Sequence, residues 1–429
     1  MKIVFIEPAA SKANVYSKLH MPLLGPVYLG SILKNRGHEV EIYNEDIYKP
    51  DYTRLEADVI GISVLTSTAQ RGYEIAQKFP KEKVIIGGVH ASLLPEEALE
   101  FARQVVVGEA EEIIAGVVEG KLRDPIVNGA PVQNLDILPF PDFSLIKGYK
   151  LPSLLTPIST SRGCPFDCTF CSVTKVFGRA YRFRSAENVM EELKSRKDRY
   201  LFFCDDNFTA HPKRTRRLLQ QMIKHRVANW ACQVRCDAAG DGELLTLMAK
   251  AGCQTACIGF ESINAKTLES YNKKQSLENI ITAIRAFHKR KIRVHGMFVL
   301  GSDDDSEKTI WDTLLFAIRQ KIDTIQISIL TPFPGTAIYE TLKRQQRIFS
   351  YNWSLYDGQH AVFTPKLLSA KQLQLNILNT YIKFYSLSRS VTLFIRLHFR
   401  NALFHLMGYR IVRDWIALNR KMEWLREAS

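Results

Sequence analysis

The sequence predicts an α/β protein whose first part is a doubly wound, Rossmann-like (flavodoxin-like) parallel sheet, followed by a second α/β region and a C-terminal helical extension. Short apolar runs alternate with helix-like stretches through residues 2–120, the alternation resumes near residue 154, and the patterning from residue 368 onward is only helical. Apolar strands that alternate with helices are typical of parallel sheets covered on both faces. We expect domains at 1–120 and 151–365, an interdomain linker at 121–150 and a helical region at 366–429.

The first region is expected to contain five strands and three helices. The strands are Lys2–Ile6, His38–Tyr43, Ala57–Ser63, Lys83–Gly88 and Gln104–Gly108, and the helices are Leu24–Arg36, Thr68–Phe79 and Pro95–Phe101. In such a sheet, ligands bind beyond the carboxyl ends of the strands, where the strand order reverses.

Small and hydroxyl residues follow two of these strands. Ser63 and Leu65 follow the third strand, and Gly87 and Gly88 follow the fourth, so a bulky ligand can approach the backbone there. No G-x-G-x-x-G run is present, which disfavours a nicotinamide or flavin dinucleotide. His90 has two interpretations: it lines the ligand cavity, or it is a helix-capping or loop histidine.

The stretch from 121 to 150 is rich in proline, aspartate and glycine, so we expect little regular structure there. Six strand–helix units follow it. The strands are Thr156–Ser161, Tyr200–Cys204, Asn229–Arg235, Thr255–Phe260, Arg293–Leu300 and Thr324–Leu330. The helices are Ala186–Arg196, Pro212–Lys224, Gly242–Ala251, Leu277–Lys289 and Ser306–Lys321.

Three cysteines lie in one short run after the first of these strands. Cys164, Cys168 and Cys171 have the spacing C-x3-C-x2-C, and Gly163 and Pro165 mark the run as a loop. Three thiolates on one loop can hold three irons of a [4Fe–4S] cluster and leave the fourth iron open for chemistry. The five other cysteines are expected to be small buried side chains: Cys204, Cys232, Cys236, Cys253 and Cys257.

The C-x3-C-x2-C run resembles the radical S-adenosylmethionine (SAM) superfamily. Together with Ser63–Leu65 (S-x-L) and Gly87-Gly88 (G-G), it resembles the members of that superfamily with an N-terminal cobalamin-binding domain. The third mark of that family, D-x-H-x-x-G, is absent, since the loop after the first strand reads Glu7-Pro8-Ala9-Ala10. The resemblance therefore implies a cobalamin without an axial histidine from that motif.

By this resemblance, the second region is an incomplete (β/α)6 radical SAM barrel. Cys164, Cys168 and Cys171 then bind the [4Fe–4S] cluster, whose open iron binds SAM and whose reduced form cleaves it to a 5′-deoxyadenosyl radical. Further cofactor contacts are expected at strand ends. Asp205 and Asp206 follow the second strand, where one accepts hydrogen bonds from the SAM amino group or forms an Asx turn, and Glu261 and Ser262 follow the fourth.

The resemblance implies cobalamin-dependent methylation of an unactivated carbon, with radical cyclisation or rearrangement as the alternative. No catalytic residue is assigned. The substrate class is a small molecule, lipid or tetrapyrrole, and ferredoxin or flavodoxin is the expected kind of electron donor. RNA-modifying methylthiotransferases carry extra cluster cysteines in their first domain, whereas no cysteine precedes Cys164 here. The intact cysteine triad also disfavours a non-catalytic scaffold.

Composition points to the cytoplasm. Eight cysteines in 429 residues are too few for a disulfide framework, and we identify no secretory signal or apolar run long enough to span a membrane. The formal charge is +14, but no nucleic-acid-binding motif accompanies it, which disfavours a nucleic-acid partner. The basic, aromatic-rich segment Arg389–Arg426 either packs on the barrel, binds a partner or lies on an anionic membrane surface as a peripheral contact.

Overall fold

The computed structural model describes residues 1–10, 21–150, 155–196, 198, 200–397, 399–419 and 421–428. These residues divide into two units. The first unit contains the described residues up to 210 apart from 167–171, and the second contains 167–171 together with the described residues from 211 onward.

The first unit is built around a six-stranded parallel sheet, which confirms the predicted doubly wound fold. Its strands are β1 (Lys2–Glu7), β2 (Glu39–Asn44), β3 (Val59–Ser63), β4 (Val84–Gly87), β5 (Gln104–Gly108) and β6 (Ile126–Gly129). They lie in the order β2-β1-β3-β4-β5-β6, and every neighbouring pair is parallel. The order therefore reverses at β1, between β2 and β3, where ligands bind in such sheets.

Among the described residues of this region, five helices connect these strands: α1 (Leu24–Asn35), α2 (Ala69–Ala76), α3 (Val89–Leu93), α4 (Pro95–Leu99) and α5 (Ile114–Val118). The central strands are apolar on both faces because helices cover both faces. Ile3, Val4 and Ile6 of β1 are fully buried.

The predicted linker differs from expectation, because it contributes a sixth strand. β6 runs parallel to β5, with Val106 opposite Val127 and Gly108 opposite Gly129. Further along, Lys147 N donates a 2.9 Å hydrogen bond to Ile42 O at the other edge of the sheet. Proline and glycine in this stretch mark its turns, but they do not prevent a short edge strand.

The first unit also contains the start of the second predicted strand series. Its elements are β7 (Thr156–Ile158), β8 (Ser161–Arg162), α6 (Val173–Val176), β9 (Arg182–Phe183), α7 (Ala186–Ser195) and β10 (Leu201–Phe203). β7 and β10 pair in parallel, whereas β8 and β9 form a short antiparallel pair.

The second unit contains the other four predicted strands. These are β11 (Trp230–Val234), β12 (Cys253–Glu261), β13 (Arg293–Leu300) and β14 (Thr324–Ile329), which pair in parallel in chain order. The intervening helices are α8 (Pro212–Lys224), α9 (Gly242–Lys250), α10 (Ala265–Ser270), α11 (Leu277–Lys289) and α12 (Glu307–Arg319). Capping boxes at Ser276 and Ser306 fix the starts of α11 and α12.

The predicted C-terminal extension is helical. After α13 (Ala337–Arg344), the extension contains α14 (Ala370–Phe384), α15 (Leu387–Ile395) and α16 (Phe399–Leu418). Among the described residues, no helix combines the length and the apolarity that a transmembrane span requires.

Candidate active site

A cavity of about 320 Å³ opens at the carboxyl ends of the first sheet, within the first unit. Five of the predicted cofactor-binding residues line it: Ser63, Leu65, Gly87, Gly88 and Asp206. The loops after β3, β4 and β5 and the start of α1 form most of its wall. The cavity therefore lies where the reversal of strand order places a ligand.

Gly88 is required by the backbone beneath this cavity. Its φ is +98°, and a Cβ atom there would lie 2.7 Å from Val64 O. Ser92 joins the segment after β4 to the end of β5. Its Oγ donates to Gly88 O at 2.9 Å and accepts from Gly108 N at 3.0 Å. The G-G pair is thus a structural element of the cavity floor as well as part of its lining.

His90 does not line the cavity. Its side chain is fully buried, with Nε2 3.2 Å from Glu97 Oε1 and its ring 6.2 Å from that of Tyr73. Of the two interpretations of His90, cavity lining and a local role, the structure is consistent with the local role, because the side chain packs between α3, α4 and α2, which carries Tyr73.

A buried network of four charged side chains adjoins the cavity, and three of its members, Glu109, Glu111 and Arg162, line the wall. Glu109 accepts hydrogen bonds from Arg162 Nη1 at 2.8 Å, from Arg182 Nη1 at 2.9 Å and from Val132 N at 3.0 Å. Glu111 accepts one from Arg162 Nη2 at 2.5 Å. Burial favours the neutral acid, but the hydrogen bond from Arg182 and the charge of Arg162 hold the pKa of Glu109 below its usual range.

This network was missed by the sequence reasoning. The available signal was the run Gly108-Glu109-Ala110-Glu111 directly after a predicted strand, where functional residues collect. Arg162 precedes Cys164 by two positions, so the network fixes the segment that leads into the cysteine loop.

Asp205 and Asp206 have different environments. Asp205 is buried and accepts hydrogen bonds from Thr160 N at 2.6 Å, Ser161 N at 2.9 Å and Thr160 Oγ1 at 2.5 Å. It therefore clamps the turn between β7 and β8. Asp206 lines the cavity, and burial, followed by the charge of Asp205, raises the pKa of Asp206 to about 6.

The cysteine loop is half-buried at all three thiols, and none of them is in a disulfide. In the first unit, Gly163 precedes Cys164 with φ of +83°, and a Cβ atom at Gly163 would lie 2.3 Å from Ala180 O. Only glycine fits this entry to the loop. No cluster of three or more His, Cys, Asp or Glu side chains in the described ranges has a metal-binding arrangement, so the iron ligands remain a prediction from the motif.

The second unit holds the segment around Cys168 and Cys171. Asn272 Nδ2 donates to Asp167 O at 2.8 Å, and Thr169 N donates to Tyr271 O at 3.2 Å. The rings of Phe170 and Tyr271 lie 4.9 Å apart. The aromatic residue before the last cysteine therefore anchors the loop by packing.

Two cations lie beside Cys168. Lys273 Nζ donates to Glu261 Oε1 at 2.5 Å, and Arg235 Nη2 donates to Lys273 O at 2.7 Å, all three side chains being buried. Burial raises the pKa of the Cys168 thiol, while the charges of Lys273 and Arg235 oppose that rise. Positive charge of this kind favours the thiolate that iron binding requires.

Glu261 and Ser262, which were predicted together as cofactor contacts, have different partners in the structure. Glu261 is the partner of Lys273, whereas Ser262 is fully buried and its Oγ accepts from Asn264 N at 3.0 Å, at the start of α10. Ser262 thus has a local structural contact. The sequence offered no signal for Lys273 beyond its position after a helix.

Two family profiles match the chain. The radical SAM superfamily matches residues 158–317, and the B12 binding domain matches residues 12–118. Bacteriochlorophyllide d C-12(1)-methyltransferase of Chlorobaculum tepidum is 32% identical over 344 residues, which cover 76% of this chain and 75% of that protein. Anaerobic magnesium-protoporphyrin IX monomethyl ester cyclase of Cereibacter sphaeroides is 25% identical and covers 90% of this chain and 70% of its own length.

Two solved structures share the fold. The radical SAM methyltransferase TsrM of Kitasatospora setae has a TM-score of 0.64 at 18% identity and covers 80% of this chain and 76% of its own. The cobalamin-dependent SAM radical enzyme OxsB has a TM-score of 0.68 at 15% identity and covers 98% of this chain and 75% of its own.

Proposed function

This chain belongs to the cobalamin-binding radical SAM enzymes, a family of methyltransferases and cyclases, and we propose that it methylates an unactivated carbon. One observation carries the proposal. A ligand cavity at the strand-order reversal, lined by the S-x-L and G-G residues, occurs in the same chain as the three-cysteine loop. The relative at 32% identity is named a methyltransferase.

The family's cofactors are a [4Fe–4S] cluster, SAM and cobalamin. The residues fit these groups by their chemistry. Cys164, Cys168 and Cys171 would hold the cluster, since their thiols are half-buried and outside any disulfide. The cavity with Ser63 and Gly87 would hold cobalamin. When bound, these cofactors supply a 5′-deoxyadenosyl radical and a transferable methyl group.

The protein's own residues would keep these groups in position. Asp205 fixes the turn before the cysteine loop, and the Glu109–Arg162 pair fixes the segment between that turn and Cys164. Lys273 places a positive charge beside Cys168, which favours the thiolate. Rigid support of this kind holds a radical site in one geometry.

We propose a tetrapyrrole as the substrate class. The two sequence relatives described above are named for a bacteriochlorophyllide and a magnesium-protoporphyrin ester. The cyclase among them supports radical ring closure as the second candidate reaction, since it is similar over 90% of this chain.

The test is anaerobic reconstitution with iron, sulfide and hydroxocobalamin, followed by turnover with dithionite as the reductant, methyl-labelled SAM and chlorin or porphyrin substrates. Methylation predicts 5′-deoxyadenosine together with a product that carries the label. Deoxyadenosine with an unlabelled, dehydrogenated product would favour cyclisation. Cys168→Ala should abolish deoxyadenosine formation, whereas Cys253→Ala, at a buried thiol outside the loop, should retain it. Persistent cleavage of SAM by Cys168→Ala would contradict the cluster assignment.

A further inference from the structure

The C-terminal helical hairpin, formed by α15 and α16 (Leu387–Leu418), exposes large apolar side chains at its tip. Phe394 is 60% exposed, Ile395 72%, Leu397 73% and Phe399 52%, all within six positions. The rings of Phe394 and Phe399 lie 5.1 Å apart, so they form one surface. A soluble surface rarely concentrates apolar groups in this way without a partner.

The hairpin is held to the second unit through contacts of α16. His405 contacts Phe384 O at 3.2 Å through Nδ1 and Asp323 O at 3.0 Å through Nε2. Asn401 Nδ2 donates to Asp323 Oδ1 at 2.7 Å, and a Cβ atom at Gly408 would lie 2.4 Å from Tyr385 Cδ1. This face of α16 is therefore closely packed, and the apolar tip is left outside that packing.

The sequence on both sides of the tip carries charge of one sign. No aspartate or glutamate occurs between Asp357 and Asp414, whereas eight lysines and arginines do. Arg396 and Arg400 lie at the tip and are exposed, and Arg400 Nη1 also donates to Gln254 Oε1 at 3.2 Å. Exposed apolar side chains flanked by cations, with no nearby acid in the sequence, fit an anionic lipid surface, where each cation adds attraction and each apolar group leaves water.

We infer that the hairpin tip docks the enzyme on an anionic lipid bilayer. The tip inserts Phe394, Ile395, Leu397 and Phe399 at the headgroup boundary, and the arginines contact lipid phosphates. The contact is peripheral, and it places the enzyme at the surface where a strongly apolar substrate would be dissolved. A nucleic acid would be attracted by the same cations, but it would leave the aliphatic side chains exposed to water.

The test is flotation of the full-length, reconstituted enzyme with vesicles of phosphatidylcholine alone or mixed with phosphatidylglycerol. We expect binding only to the mixed vesicles, weakened by salt. The double substitution Ile395→Asp/Leu397→Asp should weaken binding by about a hundredfold, roughly tenfold for each side chain that leaves water. Arg396→Ser/Arg400→Ser should weaken it as well. Ile137→Asp, at an isoleucine 63% exposed in the first unit, is the matched control and should bind normally.

Retained SAM cleavage in the Ile395→Asp/Leu397→Asp variant would show that it is folded. Absence of binding to the mixed vesicles would overturn the inference, as would equal losses in this variant and in Ile137→Asp. A concentration-dependent dimer that the double substitution disrupts, without vesicle binding, would instead identify a second copy of the chain as the partner. Tight binding of RNA without vesicle binding would identify the surface as a nucleic-acid site.

Discussion

Replacement of Glu109 by alanine tests whether the buried charge network holds the first unit together. Only 2% of the Glu109 side chain is exposed, and it accepts hydrogen bonds from Val132 N, Arg162 and Arg182. Arg162 would keep Glu111 as a partner, but the buried Arg182 guanidinium would retain only backbone carbonyls. An uncompensated buried charge costs about 3–5 kcal/mol, so we expect Glu109→Ala to lose that much unfolding free energy.

The assay is urea denaturation of the anaerobically purified protein, followed by circular dichroism, because all five tryptophans lie in the second unit. The matched control is Glu119→Ala, which also removes a carboxylate with several basic partners: Arg36, His38 and Lys121. That site is in contact with solvent, so its loss should be clearly smaller. Equal losses in Glu109→Ala and Glu119→Ala would refute the reasoning that burial makes the network strong.

Three further predictions concern the same unit. Gly88→Ala should lose about 1–3 kcal/mol of unfolding free energy in urea, because its Cβ would meet Val64 O; unchanged stability would exclude that clash. Burial raises the pKa of Glu7 to about 7, so the folded state holds this proton more tightly than the unfolded chain. The unfolding free energy should therefore fall by about 3 kcal/mol as pH rises from 4.5 to 7; Glu7→Gln should remove this fall, and an unaltered profile would contradict the assignment. Gly25 lines the cavity, and a Cβ atom added there would meet no other atom within 4 Å, so Gly25→Trp should fill part of the cavity and lose most of the retained cobalamin. Gly240→Trp, at a glycine with equally open space in the second unit, should retain it. Equal cobalamin retention by the two variants would place cobalamin elsewhere.

The sequence alone determined most of the secondary structure, because its signals are local. β5, β13, α8 and α11 have the bounds that were predicted. The ends of these elements depend on apolar periodicity and on local signals such as Pro212 at the first turn of α8, both of which are present in the sequence. The sequence also indicated the cavity, since S-x-L and G-G follow strands whose ends meet at one edge of a parallel sheet.

The tertiary structure decided what depends on residues far apart in the chain. The segment Ile126–Gly129 forms strand β6 because it pairs with the edge of β5, although the composition of the segment indicates a loop. Glu109 and Arg162 are 53 positions apart, and their pairing follows from the path of the backbone. His90 lies in the interior because its ring packs near Tyr73 and its Nε2 lies 3.2 Å from Glu97 Oε1. The local sequence pattern determines which helices and strands form. Which residues are buried, and which groups they hydrogen-bond, depends on how segments distant in the chain pack together.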